Sequence, residues 1–225
     1  MAKLNAFGCS FTHGHSLPDQ PQWRSVQKNQ ESNFLIPYSR QYAWPAVLGA
    51  ELNLPVENHG HCGNSNRGIL HDLLTANIDA DDLVIIMWTC WNRTSILHSE
   101  DHNQNFDLHP TRGKVDPFTR LYYRHANDYE LQFNTFHCIY TADCYLRSKG
   151  IRTVHTTMDA TMESLATPAW FPKDFEFVKP FYGNHTLIDH AEDGAHPGVR
   201  SHDGWAKRMR NYILSSKPTQ LAQLG

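Results

Sequence analysis

Short continuous apolar runs alternate along the chain with stretches whose apolar residues recur every three to four positions. Residues 3–8, Asp82 to Thr89 and Ile151 to Thr156 belong to the first kind and read as strands. The run Leu83-Val84-Ile85-Ile86-Met87-Trp88 is the longest, as expected of a central parallel strand covered on both faces. Leu54 to Glu57 reads as a further, short strand. Ser39 to Leu52 has a helical apolar face of Tyr42, Val47, Leu48 and Leu52. Ser39 can cap that helix, although Pro45 belongs in a first turn and moves the start toward Trp44. Asn66 to about Asn77 follows the same pattern, with Ile69, Leu70, Leu73 and Leu74 inward. Asp128 to Lys149 is a long helix, capped by Asn127 or Asp128 and stopped by Gly150. Val199 to Leu214 closes the chain, with Trp205, Met209, Tyr212 and Ile213 spaced to face a sheet.

The intervening segments are polar. Residues 13–38 read as a long loop, and Asn58 to Asn66 as a glycine-punctuated loop entering a helix. Residues 95–127 read as an irregular insertion. Residues 160–195 read as loop-like, with Trp170, Phe171, Phe175, Phe177, Phe181 and Tyr182 among prolines; a satellite hydrophobic core is favoured there over a lid or pocket lining. The alternation of strand and helix predicts an α/β fold, a three-layer sandwich with a mainly parallel, flavodoxin-like sheet. At 225 residues the chain is expected to form a single domain, 1–225, with insertions at about 95–127 and 160–190.

Composition narrows the classes. Twenty basic against 23 acidic residues leave a net charge of −3 with no charge runs, so neither nucleic acid nor an anionic membrane surface is an expected partner. No stretch has the length of a membrane span, and the first seven residues hold no secretory apolar region. A cytoplasmic location is therefore expected. The five cysteines form no Cys-x-x-Cys pair and read as reduced thiols. Fifteen histidines are roughly three times the number an average composition implies.

The candidate chemistry begins at Phe7-Gly8-Cys9-Ser10-Phe11-Thr12-His13-Gly14. Gly8 lets the chain bend sharply after the first strand, and Ser10 falls at its carboxyl end, where open α/β sheets place ligands. A serine nucleophile needs a general base, and the base needs an orienting acid. Asp193-Gly194-Ala195-His196-Pro197 offers both in one loop, three residues apart. The Gly60–Asn64 loop and Cys90-Trp91-Asn92-Arg93 follow the second and third strands.

Together these four segments resemble the SGNH (GDSL-type) hydrolase family, and the resemblance spans nearly the whole chain. It implies an SGNH-hydrolase-like fold, with Ser10 as nucleophile, His196 as base and Asp193 as its acid. It implies an oxyanion hole from the backbone N–H groups of Ser10 and Gly63 and the side chain of Asn92. Asn58 followed five residues later by Gly63 matches the second block. The chain departs from the family at Cys9, where Asp is usual, and at Cys90-Trp91-Asn92-Arg93, where Gly-x-Asn-Asp is usual. The opening looks like a divergent branch associated with phage-encoded proteins, which would place the protein in host cytoplasm or a virion. The implied activity is that of a serine esterase or acyl hydrolase, such as a carbohydrate O-deacetylase, acting on a small-molecule or glycan ester without metal or cofactor. Arg93 is placed to hold an anionic substrate group, or to form a surface ion pair.

Other readings of the same residues stay open. His13-x-His15 and His59-x-His61-Cys62 flank the site, and His185, His190, His196 and His202 crowd the last segments, so a metal-dependent hydrolase is one alternative. Cys9 as nucleophile is another, against the more usual buried thiol. A third is a catalytically inactive binding or virion-associated protein on the same scaffold.

Overall fold

The computed structural model describes residues 1–19, 41–98, 106–110, 117–158, 162, 165–178 and 187–215. Its elements in chain order are β1 (Leu4–Gly8), α1 (Ser10–His13), α2 (Trp44–Leu52), β2 (Val56–Gly60), α3 (Asn66–Thr75), β3 (Leu83–Trp88), β4 (Thr94–Ile96), β5 (Phe106–Leu108), α4 (Pro117–His125), α5 (Asp128–Ser148), β6 (Arg152–Thr157) and α6 (Val199–Ser215). Four strands form a parallel sheet in the order β2-β1-β3-β6.

Side-chain alternation in the strands splits the core into two layers. Leu4, Ala6, Leu83, Ile85, Met87 and Val154 pack on one face against Trp44 and Leu48 of α2 and Trp205, Met209 and Ile213 of α6. Phe7, Val84, Ile86 and Trp88 pack on the other against Ile69 and Leu73 of α3 and Phe136, Ile139, Ala142 and Leu146 of α5. The result is the α/β three-layer sandwich that the alternation predicts. β1 and β3 are buried along their whole lengths, which is why both read as unbroken apolar runs.

The helix signals mostly hold. Asn127 caps α5 by accepting from the Glu130 N–H at 2.9 Å, and Gly150 past its end has φ +68°. α2 begins at Trp44 with Pro45 in its first turn; Ser39 lies outside the described residues. Leu74 is a correction: it is 43% exposed, while Ile69 and Leu73 are buried.

Three other expectations change. The second strand runs Val56–Gly60, not 54–57, because Asn58, His59 and Gly60 pair in parallel with Ala6, Phe7 and Gly8 of β1. The segment 95–127 holds the antiparallel pair β4–β5 and helix α4 where an irregular insertion was expected. Phe171 and Phe175 do not form a satellite; they stack into the α5 layer, with Phe136 and Phe171 centroids 5.0 Å apart. Phe181 and Tyr182 lie outside the described residues, as does most of 13–38.

Candidate active site

The order β2-β1-β3 makes β1 the middle of three adjacent strands. The chain leaves β1 toward β2 on one side and later reaches β3 on the other, so the carboxyl end of β1 is a topological switch point, the position where open parallel sheets place ligands. Ser10 stands there. It opens α1, a single helical turn closed by bonds from the Thr12 and His13 N–H groups to the Cys9 carbonyl at 3.1 and 2.9 Å. Gly8 serves this turn by size, not by an unusual backbone angle: a Cβ there would lie 2.1 Å from Thr12 Oγ1. Cys9 points away, fully buried, with its thiol 3.4 Å from Met158 Sδ. That is the structural cysteine, and the geometry does not favour it as a nucleophile.

Asp193 and His196 sit on a small hairpin-like loop. His190 and Pro197 form an antiparallel bridge, and the Ala191 N–H donates to the His196 carbonyl at 2.8 Å. Asp189 anchors the loop to α6, its carboxylate accepting from the Arg200 and Ser201 N–H groups at 3.0 and 2.8 Å. The Glu192 N–H donates to the Ser16 carbonyl at 3.2 Å and ties the loop to the segment after α1. These bonds bring residues 186 positions apart into contact: Ser10 Oγ lies 3.1 Å from His196 Nε2. On the far side of the ring, His196 Nδ1 lies 2.5 Å from Asp193 Oδ2. A carboxylate only accepts, so Nδ1 carries the proton and Nε2 is left to accept from the serine hydroxyl.

Asp193 is itself held. Its Oδ1 accepts from the Ala195 and His196 N–H groups at 3.0 and 2.9 Å. Partial burial pushes the Asp193 carboxyl up. The two backbone N–H groups and the His196 ring outweigh that and hold it well below the usual carboxylate range. Phe11 and His15 meet the His196 ring edge-on, with centroids 5.7 and 4.6 Å away. Ser10 is 7% exposed, while the His196 ring is partly open to solvent.

The other candidate residues lie at the carboxyl ends of the flanking strands. Gly63 follows β2 in a turn with φ +83°, a backbone state that favours glycine. That loop is fixed to β1 by the His61 N–H bonding the Gly8 carbonyl at 3.2 Å. Beyond β3, the buried Asn66 amide pairs with the Thr89 backbone in both directions, at 2.8 and 3.1 Å. The Asn92 carbonyl accepts from the Tyr123 hydroxyl at 2.6 Å, and that hydroxyl also lies 3.0 Å from the Leu108 carbonyl. Burial, then the neighbouring Tyr122, holds the Tyr123 phenol well above its usual value, so it stays a donor. The segment expected as an insertion therefore pins the backbone of Asn92. Arg93 Nη1 donates to Thr89 Oγ1 at 3.0 Å, and among the described residues it forms no ion pair.

Three of the other candidate histidines pack elsewhere. His13 Nδ1 lies 2.9 Å from the Gly60 carbonyl, and His59 stacks on Phe7 at 4.5 Å. His202 is buried in α6, where its Nδ1 accepts from the Trp44 N–H at 3.0 Å. His185 lies outside the described residues. His15 lies beside His196. Phe11, Asn66 and Tyr123 were not singled out from the sequence as contributors to the site; an Asn at a helix start and an aromatic just after Ser10 were the available signals.

No protein-family model matches the sequence, and no curated protein matches it. Solved structures do. An acetyl xylan esterase from the rumen bacterium Butyrivibrio proteoclasticus superposes with a TM-score of 0.55 at 14% identity, covering 94% of this chain. A carbohydrate esterase whose active site displays divergent catalytic and non-catalytic binding functions aligns over 96% of this chain, with a TM-score of 0.53 and 10% identity. A family two carbohydrate esterase from Clostridium thermocellum, solved with cellohexaose, aligns over 94%, with a TM-score of 0.51 and 10% identity. The chain spans 63%, 69% and 63% of those three proteins' lengths. At these identities the likeness is one of fold, and the fold is the SGNH-hydrolase-like one. Among the described residues no helix is long and apolar enough to cross a membrane.

Proposed function

We propose that this protein is a serine acyl hydrolase acting on a small ester, with an acetylated carbohydrate as the favoured substrate class. One observation carries this: Ser10 Oγ, His196 and Asp193 form an unbroken hydrogen-bonded line, 3.1 Å and 2.5 Å between successive partners. The solved esterases of the same fold, one of them an acetyl xylan esterase, support the choice of an ester and of a sugar-borne acetyl group.

The reaction follows from the line. Ser10 Oγ attacks the ester carbonyl carbon as His196 Nε2 takes its proton. Asp193 keeps the imidazole in the tautomer that can do so and stabilises the imidazolium. The tetrahedral oxyanion is met by the N–H groups of Ser10 and Gly63 and the amide of Asn92. Each such donor lowers the barrier by about 3 kcal/mol when its geometry is right. His196 gives its proton to the leaving alcohol, leaving an acyl group on Ser10. Water, deprotonated by the same imidazole, then releases the acid. Arg93, at the rim beyond β3, steers an anionic substrate group.

Hydrolysis of p-nitrophenyl acetate by wild type, Ser10→Ala and His196→Ala, each with and without EDTA, tests the proposal. Activity lost in both variants and indifferent to EDTA is the expected result. Activity that survives Ser10→Ala, or that EDTA abolishes in wild type, contradicts it. Wild type that binds acetylated xylo-oligosaccharide without hydrolysing any ester identifies a binding protein on this scaffold.

A further inference from the structure

His15, Asp193 and His196 each offer one ligand atom, and these atoms all lie within 4.8 Å of one another. Two imidazoles and one carboxylate are a zinc donor set, with a fourth position left open. Four-coordinate zinc, with bonds of about 2.1 Å, places its donors roughly 3.4 Å apart, so modest side-chain rotation closes the trio around an ion. The backbone already holds the three together. The His15 N–H bonds the Ser10 carbonyl at 3.0 Å, and the Glu192–Ser16 bond clamps the two segments that carry the ligands. Cys62, a softer donor, lies beside them, its Sγ 3.3 Å from His15 Nδ1. With only one oxygen ligand, the trio does not suit Mg²⁺ or Ca²⁺. The trio Asp79, Asp81 and Asp82 differs: Asp82 is already taken by the Lys3 and Asp79 N–H groups and the Asn5 amide.

We propose that His15, His196 and Asp193 form an inhibitory Zn²⁺ site laid over the Ser10–His196–Asp193 line, so that zinc binding and ester hydrolysis exclude each other. The exclusion holds for either ring nitrogen. An ion on His196 Nε2 occupies the lone pair that must accept the Ser10 proton. An ion on Nδ1 displaces the proton that bonds Asp193 and leaves the ring in the wrong state. The site itself stands on geometry alone; only its inhibitory effect rests on the hydrolase proposal. His15 is the residue that makes the difference, since hydrolysis does not call on it.

The test uses the full chain, stripped with EDTA and freed of it. Calorimetric titration with ZnCl₂ and MgCl₂ is run on wild type, His15→Ala and Ser10→Ala, with circular dichroism to establish folding. Wild type and Ser10→Ala are expected to bind one Zn²⁺ with equal affinity and no Mg²⁺. His15→Ala is expected to bind zinc at least about tenfold more weakly, in line with losses for disturbed metal sites. In parallel, p-nitrophenyl acetate hydrolysis is measured with ZnCl₂ and with EDTA, each variant against itself. Zinc is expected to suppress wild type reversibly and to act on His15→Ala only at correspondingly higher concentration. Equal zinc binding by wild type and His15→Ala, or none by wild type, overturns the site. Zinc that binds through His15 yet leaves hydrolysis unchanged overturns its inhibitory role, and zinc that raises hydrolysis overturns that role and the serine mechanism together. Wild type inactive even in EDTA counts against the hydrolase proposal, while the calorimetric comparison still decides the site.

Discussion

His196–Asp193 and His155–Asp143 are the same chemical pair in two settings. In the first, the ring has an open edge, a carboxylate 2.5 Å from Nδ1 and a serine hydroxyl 3.1 Å from Nε2. In the second, the ring is 6% exposed and lies against Trp88 and Phe175. There the Trp88 indole N–H donates to His155 Nδ1 at 3.1 Å, and Asp143 Oδ1 stands 3.5 Å from Nε2 while Asp143 Oδ2 pairs with Arg147 Nε at 2.8 Å. Burial pushes the His155 pKa down, with Asp143 acting against it. Both pairs orient an imidazole. Only the first leaves the second nitrogen facing a serine hydroxyl with the ring partly open to solvent. A histidine–carboxylate contact is therefore not a sign of catalysis; the partner on the other nitrogen decides.

Alanine substitution separates the pairs most sharply. Ser10→Ala and His196→Ala are expected to cut kcat by about 10⁴- to 10⁶-fold while leaving the denaturation midpoint near that of wild type. His155→Ala is expected to do the reverse. It opens a cavity between Trp88 and Phe175, costs about 2–5 kcal/mol in urea unfolding, and leaves kcat per folded molecule within about twofold. Amide substitution sharpens the contrast. Asp193→Asn is expected to lower kcat by about 10⁴-fold through the wrong tautomer. Asp143→Asn is expected to cost about 1–3 kcal/mol of stability, by leaving Arg147 and His155 without their carboxylate, and little activity. Asn92→Ala is expected to lower kcat by about 10²- to 10³-fold with KM little changed, because its carbonyl anchor to Tyr123 survives the substitution.

A smaller effect comes from a third histidine. His202 is 1% exposed, and burial drives its pKa down to about 3, with Asp189 opposing and His196 assisting. Its folded value lies below the unfolded value of about 6.5, so acid protonates the unfolded chain first. Its contribution is whole above about pH 6.5 and is lost progressively as the pH falls toward 3. At pH 4.5 the loss is about 3 kcal/mol. Urea unfolding of wild type and His202→Gln at pH 7 and 4.5 measures this: the fall in stability should be smaller in the variant by about that amount. Asp193 works through activity. Its carboxyl stays ionised below the usual carboxylate range, held there by the Ala195 and His196 N–H groups and the His196 ring, so protonation of Asp193 is not expected to set the acid limb of kcat/KM.

What was legible in the sequence was what local chemistry decides. The β1 and β3 runs, the Asn127 cap and the Asp193-x-x-His196 spacing each carry their structure in a few adjacent residues. The end of β2 was not legible, because Asn58-His59-Gly60 has turn chemistry and becomes strand only by pairing with β1. Gly60 is there for space: a Cβ would lie 2.4 Å from the His13 nitrogen, an atom 47 residues away. The β4–β5 pair escaped notice for a related reason. Each strand is three residues long, and of the six only Ser95 and Leu108 are buried, too few to set a period. The role of Tyr123 was hidden because its partner is a backbone carbonyl 31 residues earlier. Sequence placed Ser10 in the first block and Asp193 with His196 in the last, whereas the meeting of the two blocks depends on the Asp189 anchor and the Glu192–Ser16 bond, neither of which has a local signature.

The central claim is that Ser10 is an activated nucleophile, and labelling with diisopropyl fluorophosphate followed by intact-mass and peptide analysis tests it most directly. The account predicts one phosphoryl adduct per chain on Ser10, none in Ser10→Ala, strong slowing in His196→Ala and unchanged labelling in His155→Ala. An unlabelled wild type, or an adduct on another residue that persists in Ser10→Ala, would contradict it.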